Sequence, residues 1–372
     1  MKKRNLWLLL LFVLTLTAFF GVALFVMPLS EHEAQKTPAT TFKGIQSEKK
    51  QLKVLKRYPT IYHSSSWKNS DAMIPIPGLY QTKTLDDSNT ITACDAMTPQ
   101  GLAITDDHVF ISAYCHNHEH NSVIYIMNHY NYDLLNTVVM HGNPHAGGLA
   151  FDDNFDNLWV STTEGVAAIS LEHLLNYDLD IVKKPVGYDQ DMRLHDIPRS
   201  SVITSYNGFL IAGHFKKKTE GKLTLYGMDS QGKLLDSTLV SQTNDNPSYD
   251  LYYNAETLSV AKMQGIALYD NYVIISQSYG KKNSSLYIFD IRVAGNVFDV
   301  EKATYKIDFP PYLEQITIHD DQLYALFESG SKGYREKTEN RFDYVLKIPF
   351  KELLFQQQQE YPLLLPQKYN KK

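Results

Sequence analysis

The sequence predicts an all-β fold, a β-propeller of five four-stranded antiparallel blades with six as the alternative count. One phrase recurs five times along the 372 residues: a small or polar doublet, alternating apolar residues, an Asp or Asn turn, and a second apolar strand that often ends in Ser. The apolar spacing is two rather than the helical 3.6, which excludes helical solenoids. Taking Gln100, Gly147, Ser200, Gln264 and Glu314 as equivalent, successive copies lie 47, 53, 64 and 50 residues apart, the length scale of propeller blades.

In chain order, the copies are 100–104 with 108–112, 147–151 with 158–161, 200–203 with 209–212, 264–268 with 272–276, and 314–318 with 323–326. A third apolar strand follows each pair, at 123–127, 166–171, 223–226, 286–289 and 344–348. Residues 60–96 hold strand-like pieces such as 79–82, which either complete the last blade or form an extra, degenerate one. Closure of the ring is expected, because an open propeller leaves unpaired sheet edges. The propeller domain is assigned to residues 61–355.

The flanks read differently. Lys2, Lys3 and Arg4 precede an apolar run over 6–29 that contains no charged residue. A run of this length spans a bilayer as a helix, exceeds a signal-peptide core and offers no A-x-A cleavage site. Residues 1–29 are therefore expected to be a cytoplasmic stub and transmembrane signal anchor. The positive-inside rule makes this a single-pass cell-membrane protein with its C-terminal domain extracellular. Residues 30–60, rich in Lys, Glu, Gln, Thr and Ser, predict a flexible extracellular stalk, and 356–372, opening on four glutamines, a C-terminal tail.

Hydrophobic residues make up 43% of the chain and aromatics 12%, enough for a large core of packed sheets. A net charge of -5 argues against a dedicated nucleic-acid binder. The two cysteines, Cys94 and Cys115, bracket the first hairpin and are a disulfide candidate in an oxidising compartment.

Turns joining first to second strands fall on one face of a propeller and are acidic here, as in Asp106, Asp107, Asp153, Asp270, Asp320 and Asp321. Asp and Asn make good hairpin turns, so these read as solvated turn residues. Loops joining second to third strands fall on the opposite face. They carry Lys216, Lys217 and Lys218, then Lys281 and Lys282, then Lys332, Arg335 and Lys337. Such a cationic face suits an anionic partner. Gln100, His145, Arg199, Gln264 and Glu314 project at one opening of the channel, as a ligand-binding ring or as a plug of mutually bonded side chains. His116, His118 and His120 alternate in one loop and are a candidate metal set, without zinc-signature spacing. No G-x-S-x-G elbow, P-loop or dinucleotide fingerprint is present.

The runs 99–103, 145–150, 158–161 and 327–330 resemble the bacterial secreted propellers of the gluconolactonase-like and surface-layer kinds, over about residues 95–350. The resemblance is one of architecture. Lactonase-type members hold a divalent metal at the channel mouth with acidic and amide side chains, of which only Glu314 has a counterpart here, so no catalytic residue carries over. Two functions follow as expectations. The first is a non-enzymatic binding or scaffold module for an anionic cell-envelope polysaccharide or a protein partner, needing no cofactor. The alternative is a metal-dependent hydrolase or lactonase acting through Glu314 and His145 with a divalent metal.

Overall fold

Alternating apolar residues fold each recurring phrase into a hairpin, seen here in a computed structural model described over residues 38–65, 67, 71–194, 197, 199–235, 257–295 and 298–360. The five hairpins become five four-stranded antiparallel sheets. Blade 1 comprises Met97–Ile104, His108–Cys115, Val123–Asn128 and Leu134–Val139; blade 2 comprises Leu149–Asp152, Asn157–Ser161, Gly165–Ser170 and Gln190–Arg193. Blade 3 comprises Val202–Tyr206, Phe209–Gly213, Gly221–Gly227 and Thr257–Ser259; blade 4 comprises Met263–Tyr269, Tyr272–Gln277, Ser284–Asp290 and Tyr305–Phe309. Blade 5 takes Leu313–His319, Gln322–Phe327 and Tyr344–Pro349 from the end of the chain, and its outermost strand, Met73–Pro75, from the beginning. First strands contact one another in cyclic order, and that of blade 5 returns to that of blade 1. The protein is thus a five-bladed β-propeller.

The acidic turns follow from hairpin geometry. A two-residue turn of the primed kind needs positive φ at its centre, and Asp320 and Asp321 stand at 47° and 60° in blade 5, Asn207 and Gly208 at 50° and 77° in blade 3.

One side chain fills the axis. The second residue of each doublet is Gly101, Gly148, Ser201, Gly265 or Gln315. A Cβ on Gly148 would lie 2.7 Å from Ile203 N, so the inner strands of blades 2 and 3 approach as closely as glycine allows. Gln315 alone carries a long side chain there. Its Oε1 accepts from the amides of Leu102 (2.9 Å) and Leu149 (2.8 Å), and its Nε2 donates to the carbonyls of Leu149 (2.6 Å) and Ile203 (3.2 Å), tying blade 5 to blades 1, 2 and 3. Serines within second strands stitch neighbouring blades: Ser112 Oγ donates to Ala146 O at 2.7 Å, and Ser276 Oγ to Glu314 O at 2.8 Å.

The pieces within 60–96 do not form a sixth blade. Met73–Pro75 closes blade 5, while Thr82–Leu85 and Ile91–Cys94 pair as a separate hairpin.

Two expectations about the flanks need correction. Over residues 38–60 the expected stalk is ordered against the propeller, because helices Glu48–Leu55 and Pro59–His63 bury Leu55, Tyr58 and Ile61 in the core shared by blades 4 and 5. Asp343 holds this segment by accepting from the Gln46 amide at 2.8 Å, and Gln51 Oε1 accepts from the Asp343 amide. At the other end, helix Phe350–Glu360 continues through the glutamine run, burying Leu353 and Gln357. The expected anchor at 1–29, the first part of the expected stalk at 30–37 and the expected tail beyond 360 lie outside the described residues. Among the described residues no helix is long and apolar enough to cross a membrane.

Candidate functional site at the channel mouth

Bulges aim the first residue of the doublet out of the sheet. Strand pairing slips between Pro99 and Leu102 in blade 1, between Met263 and Gly265 in blade 4, and between Leu313 and Ile316 in blade 5. Gln100, Gln264 and Glu314 lie in these slips, where a bulge redirects side chains. All three face a cavity of about 870 Å³ over one end of the axis, which His145 and Arg199 also line. The five residues expected at the mouth thus come together. Gln100 and Glu314 are buried and Gln264 half-buried, while His145 and Arg199 are open to the cavity.

The sequence reading missed the floor's second carboxyl group. Glu328 follows the second strand of blade 5, and its amide donates to Tyr312 O at 3.0 Å, which sets it beside Glu314. The carboxyl groups are within hydrogen-bond reach of each other. Gln100 Nε2 donates to Glu328 Oε2 at 3.0 Å, and Gln264 Nε2 to Glu314 Oε1 at 3.1 Å. Burial raises the pKa of both acids. The charge of Glu328 and its hydrogen bond raise Glu314 further, while hydrogen bonds from Gln100 and Glu314 partly offset burial at Glu328, leaving it pushed up to about 8. Two carboxylates in contact cannot both ionise cheaply, so the pair keeps at least one proton at neutral pH. Their hydrogen-bond contact is far shorter than the glycosidase separations of about 5 Å or more.

The walls are aromatic and the rim is cationic. Tyr312 and Tyr334 stand 5.0 Å apart between ring centres beside the carboxyl pair, and Phe215 stacks on Tyr279 at 6.3 Å across blades 3 and 4. Burial pushes the Tyr334 hydroxyl up to about 12. Lys216 and Lys337 line the cavity; Lys217 and Lys262 lie over the Tyr279 ring at 4.6 and 5.5 Å. Lys218, Lys281 and Lys282 are exposed on the same loops, away from the cavity lining. Burial lowers the pKa of His214, with Lys216 and Lys222 adding to it.

Four blades are entered through a left-handed residue other than glycine: Ala146 (φ 50°), Arg199 (63°), Lys262 (60°) and Tyr312 (63°). Backbone strain of this kind gathers where side chains must be presented. Arg199 and Tyr312 present theirs to the cavity.

The expected metal set of His116, His118 and His120 does not converge. Alternation holds in an extended loop, but the strand ends at Cys115 and the chain turns sharply, with His118 at φ 59°. His116 packs edge-on against Tyr334 with ring centres 5.2 Å apart, and His118 and His145 flank Tyr114 at 6.0 and 4.4 Å. Crowding by protein, then the neighbouring His118 and His116, lower the His145 pKa. His120 points away, its Nδ1 3.4 Å from Cys115 Sγ. Cys94 and Cys115, the expected disulfide pair, are instead both buried free thiols with their sulfurs 3.3 Å apart. Among the described residues, three metal-capable donors gather at Cys94–Cys115–His120 and, on the acidic-turn face with both carboxylates exposed, at Asp106–His319–Asp320.

No protein family and no curated protein sequence matches the chain. Solved structures similar to it include a glutaminyl cyclase from Myxococcus xanthus (13% identity, 68% of this chain and 90% of that one, TM-score 0.37). A Thermus thermophilus protein described as an oxidoreductase (glucose dehydrogenase) matches at 10% identity over 73% of this chain and 91% of that one, TM-score 0.40. A chain of a nidogen/laminin complex matches at 12% identity over 68% and 84%, TM-score 0.35. Identities and TM-scores of this size say nothing about activity.

Proposed function

We propose that the channel mouth is a binding site for an anionic, hydroxyl-rich small unit, such as an acidic sugar of a cell-envelope polysaccharide. The observation that carries this reading is the Glu314–Glu328 pair at the floor of a cavity whose rim bears Arg199, Lys216 and Lys337. A proton-sharing pair both donates and accepts, which suits hydroxyl groups, and the tyrosine walls suit a sugar face. The cations on the rim attract the acidic group. A volume of about 870 Å³ is within the range of small-molecule sites. The charge-free run over 6–29 supports display of the domain outside a membrane on a signal anchor.

Calorimetric titration with galacturonate oligomers tests the reading. Binding is expected to weaken with added salt and to fall roughly tenfold or more when Lys216 and Lys337 are both replaced by Ser. Neutral oligomers of the same length binding equally well would overturn it. A second reading, general acid–base catalysis, is favoured by the same carboxyl pair, because buried titratable groups with displaced pKa values mark catalytic sites. Turnover of the bound oligomer, abolished by Glu328→Gln, would select it.

A further inference from the structure

The hairpin Thr82–Leu85 with Ile91–Cys94 belongs to none of the five blades, and its end meets the tightest cluster of soft donors in the molecule's described residues. Cys94 Sγ lies 3.3 Å from Cys115 Sγ, which lies 3.4 Å from His120 Nδ1. Each donor comes from a different restraint. Cys94 is fixed in the small hairpin opposite Thr82, Cys115 ends the second strand of blade 1 opposite Met97, and His120 bridges to Asp86 in the turn of the hairpin. The Ala96 amide N–H points at Cys94 Sγ at 3.4 Å. Such N–H groups stabilise thiolate sulfur, the form a metal requires.

We infer that Cys94, Cys115 and His120 bind a single thiophilic d10 cation, Zn(II) or Cu(I), which staples the small hairpin to blade 1. Tetrahedral zinc with metal–sulfur bonds of about 2.3 Å holds two sulfurs roughly 3.8 Å apart. The thiols here need spread only a few tenths of an ångström to admit it. Binding displaces the thiol protons to solvent and joins both sulfurs to the imidazole through the ion. Both cysteines are buried while His120 is half-buried, so an ion would enter from the histidine side, where a fourth position faces water.

The full-length protein, purified under reducing conditions and cleared of metal, is titrated with Co(II) as a spectroscopic probe. Thiolate-to-cobalt charge-transfer absorption is expected, saturating at one ion per chain and lost on adding Zn(II) or Cu(I); which of the two displaces cobalt at the lower concentration identifies the preferred ion. Half-exposed His120 can be changed without opening the core. His120→Asn should weaken cobalt binding more than about tenfold, whereas His116→Asn and His118→Asn should leave it unchanged. Absence of the charge-transfer band in protein whose thiols titrate as free would overturn the proposal. So would conversion of the pair to a disulfide that metal does not prevent, or cobalt affinity in His120→Asn equal to that of the parent protein.

Discussion

Glu314 and Glu328, fourteen positions apart in the sequence, meet at the floor of the channel mouth because blade 5 bulges between Leu313 and Ile316. The bulge turns Glu314 out of the ladder, and the Glu328 amide bonds the carbonyl of Tyr312, just before the strand opposite. The two acids then share a hydrogen bond in a place where either alone would be a costly buried charge.

Stability should therefore fall as pH rises. The folded pKa of Glu328 is about 8 against an ordinary 4.5, so between those values the folded protein holds more protons than the unfolded chain. Rising pH then favours unfolding, and the stabilisation present below the ordinary value is lost as pH passes through the folded one. Thermal melts from about pH 5 to about pH 9 should show a decline worth at least about 1 kcal/mol that is largely absent in the double variant Glu314→Gln, Glu328→Gln, whose amides do not titrate. Parallel curves for the two proteins would remove the shared-proton account.

Gln315 should be among the most sensitive positions in the propeller. Replacement by Leu fills similar volume but leaves the Leu102 and Leu149 amides and the Leu149 and Ile203 carbonyls without their axial partner. Buried backbone groups left unpaired cost on the order of 1–3 kcal/mol each, and partial relaxation brings the expected total to about 3–5 kcal/mol. Denaturant unfolding measures it; a loss under about 1 kcal/mol would mean that the axis closes without this side chain.

At Arg199 backbone and side chain pull in opposite directions. Its φ of 63° suits glycine, so Arg199→Gly should leave stability unchanged or raise it by up to about 1 kcal/mol, while Arg199→Ala gains no such relief. Both remove the same charge from the cavity rim, and both should weaken binding of an acidic oligosaccharide by a similar factor. Weakening by Ala alone would place the effect in the backbone rather than in the guanidinium.

The repeat was legible because its physics is local. Alternation, turn residues and the serine ending a strand can be read within a dozen residues, and they located the inner strands of all five blades and five lining residues of the mouth. Glu328 was not legible, since it stands after a second strand rather than in the recurring doublet, and only the fold brings it to Glu314. The axial role of Gln315 had a signal, being the one long side chain in a column of Gly and Ser. The histidine turn was misread because alternation was carried past Cys115 into a left-handed turn. The ordered part of the expected stalk was hidden by composition: Leu55, Tyr58 and Ile61 are few among charged neighbours, yet Leu55 at the end of one helix, Ile61 in the next and Tyr58 between them all pack into the core of blades 4 and 5.

Ring closure rests on three residues. Met73, Ile74 and Pro75 pair with Leu346, Val345 and Tyr344, and Ile74 is fully buried. Without them the strand Tyr344–Pro349 becomes an open edge, able to pair with another chain. A protein that begins at Ile76 should therefore aggregate or melt well below one that begins at Pro38, and a synthetic peptide of residues 38–75 added in trans should restore part of the loss. Shortened protein that stayed monomeric with an unchanged Tm would show that contacts between neighbouring blades, with the axial glutamine, hold the circle without the terminal strand.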